Sequence, residues 1–320
     1  MIDLTMKCLL LAAPAAALVC LTLGLPASDA ATPRTVDSPS WGPAPFITFV
    51  ASGRKGDGLY RVSPSGGPPV RLSALADVIG GPASVSPDGK TLAYGNGNRS
   101  LYRVNLAGGG RKRLGSGFSP AWSPDGTRIA YTEGEGIWVM NADGTGKHKI
   151  VVNRYLEDAG TPAWSPDGSK LAYVRCTAPG GSQPCEHGYG FDVYTIRLDG
   201  THQHKITPKP GLPTCPAWSS RGELAFLMTN GRTAIVQKSG TLRTYQGAGG
   251  CPVWSPSGKR LAEGIDAGIF LMSPDGSGRR HITVGRRPNP AIAAPSSLAW
   301  SADGKRLAWA GGGQRPHLWV

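Results

Sequence analysis

The sequence predicts an all-β fold, a β-propeller of four-stranded antiparallel blades, and three observations carry this prediction. The phrase Ala-Trp-Ser-Pro-Asp-Gly stands at residues 121–126 and 163–168, with looser copies at 84–89, 217–222, 253–258 and 299–304. The copies are 36 to 54 residues apart, and a period near 40–45 residues is typical of propeller blades. An apolar run and a second turn follow the copies. We expect seven blades that start near residues 41, 83, 120, 162, 216, 252 and 298, with six or eight as the alternatives.

The first blade is inferred from Trp41. This residue stands six positions before Ile47, whereas Trp164 stands seven before Leu171 in the matching run. We interpret Trp41 as a first copy of the phrase that has lost one turn residue.

The repeated phrase has the chemistry of a β-hairpin. Proline presets φ at the second turn position, aspartate suits the next, and glycine takes the left-handed position that follows. Strand A would carry Ala-Trp-Ser, and strand B the apolar run such as residues 171–174. A second hairpin gives strands C and D, with residues 202–207 as an example of the outer strand D.

Ring closure needs one strand from elsewhere in the chain. The sequence ends at residues 318–320, inside strand C of the last blade. We expect residues 32–38 to supply the missing strand D, because this removes an open sheet edge.

The N-terminal residues 1–30 read as a secretory signal peptide. Lys7 precedes an apolar run over residues 8–25, and Ala30 is a small residue suited to cleavage before Ala31. A membrane anchor and a lipoprotein attached at Cys20 are the alternatives. We therefore expect a single propeller domain over residues 31–320, secreted or located in the periplasm or cell envelope.

Four cysteines lie beyond the signal peptide. Cys176 and Cys185 bracket an insertion, while Cys215 and Cys251 each stand three residues before a repeat tryptophan. An even number in an exported chain predicts disulfides, and the pairing 176–185 with 215–251 is the best of three possible connectivities.

The chain carries 34 Lys and Arg against 21 Asp and Glu, a formal charge of +13. This balance favours anionic partners such as cell-envelope polymers through long-range attraction. It does not indicate specific nucleic-acid binding.

The expected binding surface is the face that carries the B–C and D–A connections. All long insertions and all four cysteines fall there, and function tends to lie on variable loops held by a rigid scaffold. The candidate contacts are Arg154, Tyr155, Glu157, Asp158, Arg175, Glu186, His187, Tyr189, Lys209, Arg286 and Arg287.

Catalytic and metal motifs are not found in the sequence. Gly-x-Ser-x-Gly, His-Glu-x-x-His and phosphate-binding glycine loops are absent, so no cofactor or metal is expected. His202 and His204 could share an ion but also suit an exposed outer strand. The repeated aspartates are explained by turn formation, and the repeated tryptophans by packing between blades. Their positions are Asp88, Asp125, Asp167 and Asp303, and Trp122, Trp164, Trp254 and Trp300.

The phrase Ala-Trp-Ser-Pro-Asp-Gly-x-x-Leu-Ala-Tyr, together with Ile-Trp-Val-Met-Asn-Ala-Asp-Gly at residues 137–144, resembles the repeat of the TolB-like, WD-repeat-like Pro-Asp propeller family. The resemblance covers nearly all of residues 41–320 and implies an exported propeller. Prolyl-oligopeptidase-like peptidases share this repeat, beside a separate hydrolase domain. The Gly-His and Trp-Asp signatures of true WD repeats are missing.

Two functions remain open from the sequence. The first is an exported, non-enzymatic, monomeric propeller that binds a protein or an anionic cell-envelope polymer through the B–C/D–A face. The alternative is a lactonase-like or polysaccharide-lyase-like enzyme with its site at the central channel. That enzyme would need carboxylates or histidines converging on the axis.

Overall fold

The computed structural model describes residues 20–21, 35–41, 43, 45–53, 56–74, 83–134, 136–152, 161–176, 191–208, 214–228, 230–247, 249–265, 268–282, 298–311 and 317–319. These residues form seven four-stranded antiparallel sheets. Six sheets are blades whose strands A to D follow one another in the chain. The seventh, here called the composite blade, joins three C-terminal strands to one strand from the N-terminal region.

The strands of each blade are given in the order A to D. Blade 1 contains Thr35–Ser40, Ile47–Gly53, Gly56–Val62 and Val70–Ala74. Blade 2 contains Ser84–Val85, Thr91–Gly95, Ser100–Asn105 and Lys112–Ser116. Blade 3 contains Phe118–Trp122, Arg128–Glu133, Gly136–Asn141 and His148–Val152.

The second half of the ring repeats this order. Blade 4 contains Ala163–Trp164, Lys170–Cys176, Phe191–Arg197 and His204–Lys205. Blade 5 contains Thr214–Trp218, Leu224–Leu227, Thr233–Val236 and Leu242–Tyr245. Blade 6 contains Val253–Trp254, Leu261–Ile265, Gly268–Met272 and Arg280–Ile282. The composite blade contains Leu298–Trp300, Leu307–Gly311, His317–Trp319 and Cys20–Leu21.

The sheets stand around an axis lined by the A strands. Strands A of blades 2 to 6 and of the composite blade contact one another in succession, and strand A of the composite blade contacts that of blade 1. Separate apolar clusters join each blade to the next, including one between the composite blade and blade 1. The fold is therefore an all-β propeller of four-stranded antiparallel blades.

The prediction for ring closure is wrong. Thr35–Ser40 is strand A of blade 1, with Thr35 opposite Ser52 and Ser40 opposite Thr48. The strand begins well before Trp41, so it fills the inner position of its own blade and cannot serve as an outer strand elsewhere. Strand D of the composite blade is Cys20–Leu21, which pairs with Leu318 and Trp319.

Counted as blades that are each continuous in the chain, the expectation of seven is wrong, and the alternative of six is observed. Six blades are continuous in the chain, and the composite blade adds a seventh sheet that depends on Cys20–Leu21 for its outer strand. Cleavage before Ala31 would remove this strand and leave His317–Trp319 at the sheet edge.

The predicted turn chemistry is confirmed in the A–B turns of blades 2, 3 and 4 and of the composite blade. The hydroxyl of Ser165 donates to Asp167 at 2.5 Å, and the same carboxylate accepts the Ser169 backbone N–H at 3.1 Å. Matching bonds hold Asp88, Asp125 and Asp303. Gly168 completes the turn with a φ of 67°.

The predicted packing of tryptophans between blades is also confirmed. The Trp164 indole is buried and its Nε1–H donates to Ala121 O of blade 3 at 2.9 Å. Equivalent bonds run from Trp254 to Ala217 and from Trp300 to Val253. Strand B adds an aromatic ring that is fully buried at Tyr94, Tyr131 and Tyr173.

In the described part of the chain, we find no helix with the length and apolar character required to cross a membrane.

Candidate binding face

Strand direction assigns each loop to a face. Strands A and C start, and strands B and D end, at the face that carries the B–C and D–A connections; we call this the loop face. The opposite face carries the A–B and C–D turns and is called the turn face. The blades are antiparallel throughout, so this assignment holds for all of them.

Of the predicted contacts, the structure describes one, Arg175. The other candidates lie outside the described residues: Arg154, Tyr155, Glu157, Asp158, Glu186, His187, Tyr189, Lys209, Arg286 and Arg287. Their role as contacts stays a prediction.

Arg175 lies near the end of strand B in blade 4, at the loop face. Its guanidinium donates to Gln203 Oε1 at 3.1 Å and stands 5.6 Å from the centre of the Tyr194 ring. The Gln203 amide in turn donates to the Tyr173 hydroxyl. Burial raises the pKa of Tyr173. Arg175 therefore braces the wall of blade 4 from strand B to strand D.

A buried carboxylate, Asp192, lies beside this brace at the start of strand C. It is fully buried, accepts the Thr207 hydroxyl at 2.5 Å, and lies 2.8 Å from the Lys205 ammonium. A buried carboxylate is stable only with such partners, because desolvation penalises an isolated charge. The cluster thus fixes the start of strand C against the D–A connection to blade 5. Sequence reasoning missed this residue.

A second buried carboxylate, Glu263, breaks the repeat in blade 6. The third residue of the Leu-Ala-Tyr phrase is aromatic in the other blades, but blade 6 reads Leu261-Ala262-Glu263. Glu263 is 2% exposed and accepts a hydrogen bond from the hydroxyl of Thr233, in strand C of blade 5. A polar bond therefore crosses the junction where the other blades place a ring. The altered phrase was a visible signal in the sequence.

The same junction carries a disulfide between Cys215 and Cys251, whose Cα atoms are 5.5 Å apart. This agrees with the predicted pairing. Cys215 has a φ of 55° beside a break in the strand register, and a β-bulge of this kind re-aims a side chain. Cys185 lies outside the described residues, so the pairing of Cys176 with Cys185 stays a prediction.

The D–A connection between blades 5 and 6 lies directly on the strand ends. A Cβ on Gly250 would stand 2.1 Å from Gly264 O, and one on Gly247 would stand 2.4 Å from Gly231 O. No side chain fits at either position. The disulfide, the Glu263–Thr233 bond and these close approaches join the described strand ends of blades 5 and 6 at the loop face.

This arrangement can hold loops in place, and each of its buried carboxylates already has a partner within the protein. Asp192 and Glu263 each bond a hydroxyl, and Asp192 also pairs with a cation. Within the described ranges there is no group of three or more His, Cys, Asp or Glu side chains placed to hold a metal ion.

Comparisons with known proteins give relatives that share part of the sequence. No family model matches the chain. The chain is 32% identical over 121 residues to the Tol-Pal system protein TolB of Anaeromyxobacter dehalogenans, covering 34% of this chain and 28% of that protein. It is 40% identical over 66 residues to dipeptidyl-peptidase 5 of Porphyromonas gingivalis, covering 17% of this chain and 10% of that protein. The chain thus spans less than a third of the length of these relatives.

Solved structures share the fold over a larger part of the chain. TolB from Acinetobacter baumannii has a TM-score of 0.55 at 18% identity, covering 79% of this chain and 64% of that one. An oligogalacturonate lyase in complex with manganese has a TM-score of 0.67 at 13% identity, covering 95% and 97%. At these identities the structural likeness describes the fold alone.

Proposed function

We propose that the chain is an exported, non-enzymatic β-propeller that binds a protein of the cell envelope through its loop face, since part of its sequence is similar to the Tol-Pal system protein TolB and its fold is similar to that of a TolB structure. The binding region is centred on blades 4 to 6. An anionic envelope polymer is the other partner compatible with the formal charge of +13.

One observation carries this proposal: buried polar contacts and a disulfide hold the loop-face strand ends of blades 4 to 6. On the turn face, by contrast, blades 2, 3 and 4 and the composite blade share the same bond from a serine to an aspartate. On the loop face, Asp192, Glu263 and the Cys215–Cys251 disulfide replace the repeat chemistry. Binding residues tend to lie on loops that a firmly held scaffold positions, and these contacts hold the strand ends from which the loops start.

Affinity capture from envelope extract tests the proposed face. The bait is the exported protein, compared with the triple variant Lys209→Ala, Arg286→Ala and Arg287→Ala. The matched control removes three exposed lysines from the turn face, Lys90→Ala, Lys259→Ala and Lys305→Ala. We expect one partner, identified by mass spectrometry, to be lost with the first variant and kept with the control. Equal capture by both variants would mean that the loop face is the wrong choice.

Export is tested by the N-terminal sequence of the protein recovered from outside the cytoplasm. We propose that it begins at Ala31. A product that retains Cys20–Leu21 would instead keep the outer strand of the composite blade and contradict cleavage at this site.

A catalytic function is the second candidate, and the fold shared with the oligogalacturonate lyase over 95% of the chain is compatible with it. Incubation with oligogalacturonate and Mn²⁺, followed by ultraviolet absorbance of an unsaturated product, tests this reading. Turnover that is abolished by a chelator would replace the binding proposal with the enzymatic one.

A further inference from the structure

Neighbouring A–B turns pack against each other on the turn face. A Cβ on Gly126 would stand 3.5 Å from Pro87 Cδ of the preceding blade, and one on Gly304 would stand 3.6 Å from Pro256 Cδ. Where blade 5 lacks the proline, Ser220 donates to Pro256 O at 2.8 Å instead. These contacts close the turn face between successive blades.

Blade 1 departs from this pattern. Its A–B connection, residues 41–46, reads Trp-Gly-Pro-Ala-Pro-Phe and does not contain the Ser-Pro-Asp-Gly phrase or any aspartate. At the junction between the composite blade and blade 1, a cavity of about 390 Å³ opens on the turn face. The sequence break and the cavity therefore coincide.

The cavity has an apolar wall and a polar rim. Trp41, Pro45 and Pro64 supply apolar surface from blade 1. The rim carries the hydroxyls of Ser63 and Ser65, which lie 2.6 Å apart. Across it stand Asp303 and Arg306 of the composite blade.

Both charged groups of the rim contact neighbouring residues. The Arg306 guanidinium stands 4.9 Å from the centre of the Trp41 ring. Asp303 accepts the Ser301 hydroxyl and the Lys305 N–H, at 2.6 and 3.1 Å. These bonds lower the pKa of Asp303, so the carboxylate is ionised at neutral pH. Donors and acceptors thus surround the apolar wall.

We propose that this cavity binds a short glycan of one or two sugar units. Sugar rings present C–H faces, which suit the proline surfaces, and hydroxyls, which suit the serine, aspartate and arginine side chains. The volume falls within the range of small-ligand sites, about 300–1,000 Å³. The site lies on the turn face and is independent of partner binding at the loop face.

An equivalent pair elsewhere in the ring supplies a matched control. Arg128 of blade 3 stands 5.1 Å from the centre of the Trp164 ring, and it occupies the position in its turn that Arg306 occupies in the composite blade. The next turn is intact there: a Cβ on Gly168 would stand 3.9 Å from Pro124 Cδ. The cation and the ring are thus common to both places, whereas residues 41–46 replace the Ser-Pro-Asp-Gly turn at the cavity.

Saturation-transfer NMR with maltose, diacetylchitobiose and digalacturonate tests the proposal on the full chain. We expect at least one sugar to bind, and Arg306→Gln to weaken it about tenfold, as for the loss of one charge-assisted hydrogen bond. Arg128→Gln should change the affinity less than twofold. Ala302→Trp, which adds bulk at an exposed lining position, should abolish binding without removing any polar group.

Three results would overturn the proposal. One is the absence of binding for all three sugars. Another is an equal effect of Arg306→Gln and Arg128→Gln, which would locate the sugar elsewhere. The last is saturation transfer to a proline-rich peptide that is lost with Ala302→Trp while no sugar binds, since this would make the cavity a peptide site.

Discussion

Two junctions between neighbouring blades are held by different contacts. One joins blades 5 and 6, and the other joins the composite blade to blade 1. The first is joined by the Cys215–Cys251 disulfide and by a buried hydrogen bond from Thr233 to Glu263. The second is joined by an apolar cluster that includes Trp41 and leaves a cavity on the turn face. Repeated blades make equivalent junctions, and these two departures show where the chain has diverged from its own repeat.

The largest expected effect concerns the covalent junction. Removal of the disulfide by Cys215→Ser with Cys251→Ser should lower the free energy of unfolding by about 4 kcal/mol, because the bond closes a long loop in the unfolded chain. Urea unfolding of the variant gives the value. Reduction of the native protein is the control and should shift the midpoint at least as far, because it also breaks the predicted Cys176–Cys185 bond. An unchanged midpoint in both would contradict a clamped junction.

The next effect concerns the buried carboxylate at that junction. Glu263→Ala leaves the Thr233 hydroxyl without this acceptor and creates a cavity, so we expect a loss of about 2–3 kcal/mol. Glu263→Gln keeps an acceptor and should cost about 1 kcal/mol or less. A double-mutant cycle with Thr233→Val measures the coupling. Additive effects would mean that the bond across the blades contributes nothing to stability.

A smaller effect distinguishes two tryptophans of the ordinary junctions. Trp164 Nε1–H donates to Ala121 O, whereas Trp122 Nε1 is buried with no hydrogen-bond partner. Both substitutions by phenylalanine remove similar apolar surface, so Trp164→Phe should cost about 1 kcal/mol more than Trp122→Phe. Thermal unfolding of the pair is the measurement. A larger loss for Trp122→Phe would contradict the assigned role of the indole bond.

The smallest effect is the pH dependence of the turn face. The Ser165 hydroxyl, followed by the Ser169 N–H, lowers the pKa of Asp167 from 3.8 to about 2. A lowered folded-state pKa gives stability that is fully present above pH 4 or so and is lost as the pH falls through about 2. Asp167→Asn should therefore be less stable than the native protein at neutral pH, with the difference closing on acidification. A difference in melting temperature that persists unchanged below pH 2 would contradict this origin.

Local chemistry made much of the fold predictable. The Ser-Pro-Asp-Gly turns, the inter-blade tryptophans and the Cys215–Cys251 pair each depend on contacts within a repeat or between adjacent copies. These contacts can therefore be predicted from the spacing of the repeat in the sequence. The same logic explains why strands A to D could be assigned in the continuous blades.

Ring closure and the buried carboxylates were not predicted, for different physical reasons. Thr35–Ser40 contains a proline and lacks the repeat phrase, so the sequence does not mark it as a strand A. Its role becomes visible only from its pairing with Ile47–Gly53 in the structure. Asp192 could be recognised as buried only once Lys205 and Thr207 were placed beside it. Glu263 was recognisable in principle, because it replaces an aromatic residue of the repeat.

Hydrogen–deuterium exchange of the protein with and without its captured partner tests the location of binding most directly. We expect protection at the loop-face strand ends of blades 4 to 6, at Arg175, Asp192 and Thr233, and unchanged exchange in the turn-face segment around Asp125. Protection confined to the turn face, with unchanged exchange at Arg175, Asp192 and Thr233, would contradict the assignment of the loop face as the binding surface.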